Sequence, residues 1–252
     1  MAGSNSEALG IKINSLFYKY YDSDLGLLKD INIEFDKGSI TAIIGASGSG
    51  KSTLLKLIAG LMKPSSGEII LSDESGSLLD HTVWHPQDDL LLAWKRVMGN
   101  ATFAAELSGV DKKTAQQNCR ILLDVFGLVG KEKLWPFQLS GGMKRRVALL
   151  RSFLVPKPIL LLDEPFSSLD TLTRTKLGYW LESVWRDDGR TLVLVTHDIS
   201  EALMLADKIV VLGSDGIINH VEELNWPRPR NKEIRSSREF NAAYLRLESS
   251  LS

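Results

Sequence analysis

The residues best equipped for chemistry form one octet, Gly45-Ala46-Ser47-Gly48-Ser49-Gly50-Lys51-Ser52. They fit G-x-x-x-x-G-K-[ST] at every fixed position, a pattern whose chemistry is the cradling of phosphate oxygens. Gly45, Gly48 and Gly50 let the backbone curl until its N–H groups converge on an anion. Lys51 adds a point charge for the terminal phosphates, and Ser52 offers a hydroxyl to Mg²⁺. The flanks supply the scaffold. Residues 39–44, SITAII, read as a buried strand, apolar and partly β-branched. Residues 53–59, TLLKLIA, have helical apolar spacing and stop at Gly60, a natural C′ residue. That helix aims its N-terminus at the same anion. A plain Gly/Ser turn is the alternative, but strand, glycines, lysine and hydroxyl are all in register. The octet, with Thr53, implies a site for a nucleoside triphosphate.

Acids come next. Residues 159–162, ILLL, are a short, fully apolar run, hence a buried strand of the parallel type, and it ends in Asp163-Glu164-Pro165. An acid at the C-terminal tip of such a strand can hold Mg²⁺ through its water shell. A second acid beside it can polarise an attacking water, a general-base role worth ~10²–10⁴ in rate. Polar capping of the strand is the ordinary alternative. Residues 191–195, TLVLV, read as another buried strand, followed by Thr196-His197-Asp198. His197 then emerges at the same sheet edge as Asp163 and the phosphate loop, where open α/β sheets bind ligands; a capping or packed histidine is the bland reading. Residues 82–85, TVWH, form a strand ending at Pro86-Gln87. Gln87 can reach Mg²⁺ or the attacking water, or serve as a polar loop residue. His85 has no metal-ligand partner at a useful spacing and reads as structural.

Leu139-Ser140-Gly141-Gly142-Met143 leads into the helical run KRRVALL. Ser140 is a natural N-cap, so the amides behind it make a second anion-binding helix terminus. Both termini can face one nucleotide, or the second can serve a nucleotide held by another subunit. Lys144, Arg145 and Arg146 read as a solvated helix face rather than a nucleic-acid patch. Ser167-Ser168-Leu169-Asp170 opens a long helix through Trp185, closed by Asp187-Asp188-Gly189.

The remaining elements must position these groups. The chain has 252 residues, 44% of them hydrophobic, enough for one large domain or a core with a small subdomain. Thirty basic against 31 acidic residues give a net charge of −1, so nothing global favours nucleic acid. Cys119 stands alone, which excludes an intrachain disulfide and fits a reducing cytosol. The opening MAGSNSEALG lacks the basic and apolar regions of a signal peptide. No apolar run approaches the ~20 residues that span a bilayer.

Residues 11–18 and 31–35 alternate like strands about a turn at 22–26, suggesting a small antiparallel region. Near that turn Tyr18, Tyr20 and Tyr21 are either base-stacking aromatics or ordinary strand residues. Residues 64–67 read as a turn, 68–71 as a strand and 73–80 as an exposed hairpin. In 90–94, Leu90, Leu91, Leu92 and Trp94 exceed what one helix face can bury, so they mark a partner site or fill a lobe core. From 97 to 126 the pattern is helical, broken at 107–110 and stopped at Gly127, giving a separate helical lobe that ends at Trp135-Pro136. Residues 208–212 and 216–219 finish the sheet, and 237–247 form a last helix.

The order of these motifs resembles the ATP-binding-cassette (ABC) ATPases along nearly the whole chain, on GASGSGKS, Gln87, LSGGM, ILLLDEP, SSLD and His197. The resemblance implies an α/β fold: a P-loop NTPase (RecA-like) core with a small antiparallel β subdomain and an inserted helical subdomain at about 88–138. The cassette would occupy 10–235 and a helical tail 236–252. It implies ATP and Mg²⁺ as cofactors, ATP on Tyr20 (the adenine-stacking aromatic), the loop 45–52 and Thr53, and Mg²⁺ on Ser52, Gln87 and Asp163. Glu164 would be the catalytic base, His197 the γ-phosphate switch and Gln87 the Q-loop residue. Ser140, Gly141, Gly142 and Asp170 would act in trans, in a head-to-tail dimer of two copies enclosing two ATP molecules.

More narrowly, QDDLLLAWKRVMGN is similar to the QxxxLLPWxTVxxN stretch of importers for nitrate, sulfonate, taurine and related small molecules, and QLSGGMKRRVALLRSF and WPRPR fit the same group. Departures include Ala93 for Pro, Lys144-Arg145-Arg146 for Arg-Gln-Arg, and Ala46 in the loop. This likeness implies integral membrane permease subunits, a substrate-binding protein, no nucleic acid, and a cytoplasmic, peripheral place on the inner face of the membrane. A soluble ABC ATPase of DNA repair or translation would need a long coiled coil in the helical insert or a second cassette, and the about 50 residues between Gln87 and Ser140 are too few for a long coiled coil at ~1.5 Å per residue. A phosphate-loop kinase leaves LSGGM unexplained.

Overall fold

The computed structural model describes residues 8–21, 25–72, 76–167 and 169–251, with the backbone alone for 183–188. The expected turn at 22–26, the start of the 73–80 stretch and Ser168 fall at least partly outside these residues.

Two sheets organise the chain. β1 (Ile11–Tyr18), β2 (Leu28–Phe35) and β4 (Ser66–Leu71) pair antiparallel in the order β2-β1-β4. The second sheet runs β5-β6-β7-β3-β8-β9. In it β3 (Ile40–Ile44), β5 (Thr82–His85), β6 (Ile159–Asp163), β7 (Thr191–Val195) and β8 (Lys208–Leu212) are parallel, and β9 (Ile218–Glu223) closes the edge antiparallel. β9 continues well beyond the expected 216–219, because its half-buried alternation pairs as far as Glu223 opposite Lys208.

Period-2 side-chain direction explains why the inner strands are apolar throughout. Ile40, Ala42 and Ile44 of β3 join Leu160, Leu162, Leu192 and Leu194 in one core. Ile43 joins Ile159, Leu161, Val193 and Val195 in the other. The second core is covered by α1 (Lys51–Ile58) and the antiparallel sheet. The first is covered by α3 (Val97–Leu107), α4 (Lys112–Leu122), α5 (Gly141–Phe153), α6 (Thr171–Asp188), α7 (Ile199–Leu205) and α8 (Arg238–Ser250). α8 buries Phe240, Ala243 and Leu247 in that core.

One expectation is corrected. Residues 76–81 do not form a hairpin. Ser77 caps a single helical turn, α2 (Leu78–His81), which carries the chain from β4 in one sheet to β5 in the other. His85 is structural as read: it is buried, its Nδ1 lies 3.2 Å from Ser152 Oγ, and burial, reinforced by Arg145 and Arg151, lowers its pKa to about 3.

Candidate active site

Because β3, β5, β6 and β7 are parallel, their C-terminal ends share one edge, and each delivers a functional group there. β3 opens into the phosphate loop. A Cβ on Gly45 would stand 2.3 Å from the Leu212 carbonyl oxygen, so only glycine lets the loop leave β3 beside β8. Gly50, at φ 99°, is the N-cap of α1, a left-handed conformation that favours glycine. Ala46, Ser47 and Gly48 are exposed on the crest, and Ser49 is buried. Lys51 Nζ donates to the carbonyls of Gly45 at 2.9 Å and Ala46 at 2.7 Å. Burial lowers its pKa, against the opposing pull of Glu164 and Asp163.

Ser52 Oγ donates to Asp163 Oδ1 at 3.1 Å. Burial raises the pKa of Asp163, with the Ser52 hydrogen bond opposing. A buried carboxylate touching a hydroxyl is an oxygen pair suited to a hard divalent cation. Among the described residues no group of three or more His, Cys, Asp or Glu gathers to hold a metal, here or elsewhere. Mg²⁺ fits this pair as an ion that keeps phosphate and water ligands. Tyr20 reaches the same helix start: its hydroxyl is 2.9 Å from Thr53 Oγ1, and its ring meets Tyr18 edge-on at 5.2 Å.

Glu164 is the meeting point. Its Oε2 accepts from Gln87 Nε2 at 3.3 Å and lies 3.7 Å from His197 Nδ1. Its backbone is left-handed, φ 48°, and is held on both sides. The N–H donates to Val195 O at 3.0 Å, while the carbonyl accepts from Arg145 Nη2 at 2.9 Å and Ser167 Oγ at 3.0 Å. His197, with 65% of its side chain exposed, projects from a pinned turn. Thr196 Oγ1 donates to Glu201 Oε2 and accepts from the Asp198 N–H, both at 3.1 Å, and Asp198 caps α7 through the Glu201 N–H.

The sequence-derived residues thus divide in two. Loop, Asp163, Glu164, Gln87, His197 and Tyr20 converge. Ser140 and Asp170 do not join them: Ser140 Oγ caps α5 at Met143 N, 3.3 Å, and Asp170 Oδ1 caps α6 at Thr173 N, 2.9 Å. Ser140, Gly141 and Asp170 are exposed and Gly142 is half-buried. Among the described residues, no hydrogen bond connects 139–143 or Asp170 to 45–52.

Two residues have roles that no motif assigns them, although Asn100 closes the QDDLLLAWKRVMGN stretch. Arg145 is not on a solvated face; at 4% exposure it is buried against Glu164 and Asp89. It lies on the same stripe of α5 as the buried Leu149 and Ser152, three to four residues apart, which is the signal that a charge there points inward. Asn100, also buried, bonds Leu92 N and the carbonyls of Leu92, Lys95 and Arg96. It shapes 90–96 into an irregular segment. Leu91 packs on the core there, and Leu90 and Trp94 stand 60% and 73% exposed.

Three comparisons bear on this geometry. The family described as ABC transporter matches residues 28–167. The formylaminopyrimidine import ATP-binding protein ThiZ of Halalkalibacterium halodurans is 41% identical over 212 residues, covering 84% of this chain and 83% of that protein. The aliphatic sulfonates import ATP-binding protein SsuB of Zymomonas mobilis is 38% identical over 228 residues, 90% and 91% of the two chains. Among solved structures, the dimeric ABC transporter cassette MJ0796 superposes at a TM-score of 0.77 with 28% identity, covering 86% of this chain and 100% of that one. The same cassette matches equally well as a dimer in a post-hydrolysis state bound to ADP and Pi. With phosphate loop, strand-end acids and histidine at one edge, the chain belongs to the ABC transporter family and is an ATP hydrolase that serves transport.

Proposed function

We propose that this chain is the ATP-hydrolysing subunit of an importer for a small organic anion of the sulfonate class, working through a separate membrane permease. The observation that carries the chemistry is the single carboxylate oxygen of Glu164 facing both Gln87 and His197 beside the Ser52–Asp163 pair. In this reading the 45–52 amides and Lys51 hold the phosphates, Thr53 and the Tyr20 ring hold the adenosine end, and Glu164 takes the proton of the attacking water. His197 orients the γ-phosphate. Ser52 and Asp163, with Gln87, would hold Mg²⁺, which when bound neutralises charge developing between the phosphates.

The exposed caps at Ser140 and Asp170, with Gly141 and Gly142, complete the site of a second copy in a head-to-tail dimer. The dimeric cassette of the same fold supports this. Relatives of similar identity are named for import of chemically unlike compounds, formylaminopyrimidine and aliphatic sulfonates, so cargo choice belongs to the permease and a substrate-binding protein. The sulfonate class rests on the repeated SsuB relatives. No helix of the described residues is long and apolar enough to cross a membrane; in this reading the permease supplies the span and this chain binds its inner face. Leu90 and Trp94, exposed beside Gln87, are the dock.

Co-purification of tagged chain with its permease, and ATP-dependent uptake of an alkanesulfonate by the reconstituted complex, test the reading. Trp94→Ala should abolish co-purification while ATP binding persists. A permease that carries no sulfonate would overturn the cargo; full co-purification of Trp94→Ala would overturn the dock.

A further inference from the structure

α5 begins at the Ser140 cap, and Arg145 is its fifth residue, standing where the resembled family carries glutamine. A guanidinium is costly to bury, and this one is 4% exposed. Its donors go to two places that matter for hydrolysis. Nη2 donates to the Glu164 carbonyl at 2.9 Å, and Nη1 lies 3.8 Å from Asp89 Oδ1, two residues beyond Gln87. Six positions on, Arg151 donates to the carbonyls of Asp89 at 3.0 Å and Leu90 at 2.9 Å. One helix therefore grips the backbone of the strand-end glutamate and the segment that carries Gln87.

The grip on Glu164 is mechanically significant because its φ of 48° is a conformation L residues keep only when neighbours over-determine it. Of the bonds that hold it, only the one from Arg145 is charge-assisted, the stronger kind. Without that bond the carbonyl keeps only its neutral contacts with Ser167 Oγ and the Ser167 N–H, so the peptide is held less firmly and the carboxylate would drift from the position where Gln87 and His197 meet it. We propose that Arg145 is a positioning residue for hydrolysis, fixing the Glu164 backbone in its productive conformation and tying it to the helix that starts at Ser140. The proposal rests on Glu164 being the base.

The test uses the full chain as a dimer with MgATP. Arg145→Met keeps the aliphatic stem and removes charge and donors; Arg145→Lys restores one charge. ATP Kd and single-turnover hydrolysis are measured for both, in the wild-type and Glu164→Gln backgrounds. Arg145→Met should slow hydrolysis roughly ten- to hundredfold, the scale of a small misplacement of a reacting group. ATP Kd should stay within about threefold, and Arg145→Lys should recover part of the rate. In the Glu164→Gln background Arg145→Met should add almost nothing, since residues acting through one another are non-additive. If the methionine variant does not fold, Arg145→Leu, which also lacks charge and donors, carries the same comparison. Wild-type hydrolysis in Arg145→Met, or the same fractional loss in both backgrounds, would overturn the proposal. Wild-type turnover in Glu164→Gln alone would remove the base assignment beneath it.

Discussion

Glu201 gives a prediction whose size follows from the structure. Its carboxylate lies on α7, with Oε2 accepting from Thr196 and Oε1 buried without a partner among the described residues. Burial, outweighing the Thr196 hydrogen bond and Arg174, raises its pKa from 4.5 to about 7. A folded pKa above the unfolded one means the native state binds the extra proton. Its stabilising effect is therefore complete below pH ~4.5 and is lost as pH rises to about 7. Integrated between pH 5 and pH 8, that loss is about 2–3 kcal/mol. Glu201→Gln keeps an acceptor for Thr196 and cannot ionise. Whatever the amide costs in packing is the same at every pH. The variant's stability relative to wild type should consequently improve by about 2–3 kcal/mol between pH 5 and pH 8. Urea unfolding at the two pH values, followed by circular dichroism, measures it. A stability difference that is flat with pH would refute the burial argument.

The loop, the strand-end acids and the signature-like LSGGM could all be read in the sequence because each motif fixes residue type and spacing within one strand-to-helix junction. Those junctions are local, and the parallel sheet then brings them to one edge without further specification. Non-local neighbours were not legible. The KRR run reads as solvated because nothing in KRRVALL says that the strand-end carbonyl of Glu164 lies against α5. Asn100 closes the importer-like stretch 87–100, but that stretch alone does not say that it sets the shape of 90–96 and leaves Trp94 outside. The 73–80 stretch reads as a hairpin for the same reason: polar residues mark a reversal, but not whether the next strand joins the same sheet.

Two further outcomes are expected. Gly45→Ala places a methyl 2.3 Å from the Leu212 carbonyl, which is fixed by β8, and should lower stability by about 1–3 kcal/mol and weaken ATP binding, read by thermal melts and nucleotide titration. A mixed dimer of Lys51→Ala with Ser140→Arg should keep one intact composite site of two, and isolated Ser140→Arg should bind ATP normally. Collapsed ATP affinity in that single variant would place 139–143 in cis.

The most direct measurement is made on Glu164→Gln, which preserves shape and the reach to Gln87 and His197 while removing the base. Incubated with MgATP, it should hydrolyse ~10²–10⁴ more slowly and run as a stable dimer by light scattering, with ATP retained. Near-normal turnover, or a species that stays monomeric with ATP bound, would contradict the account.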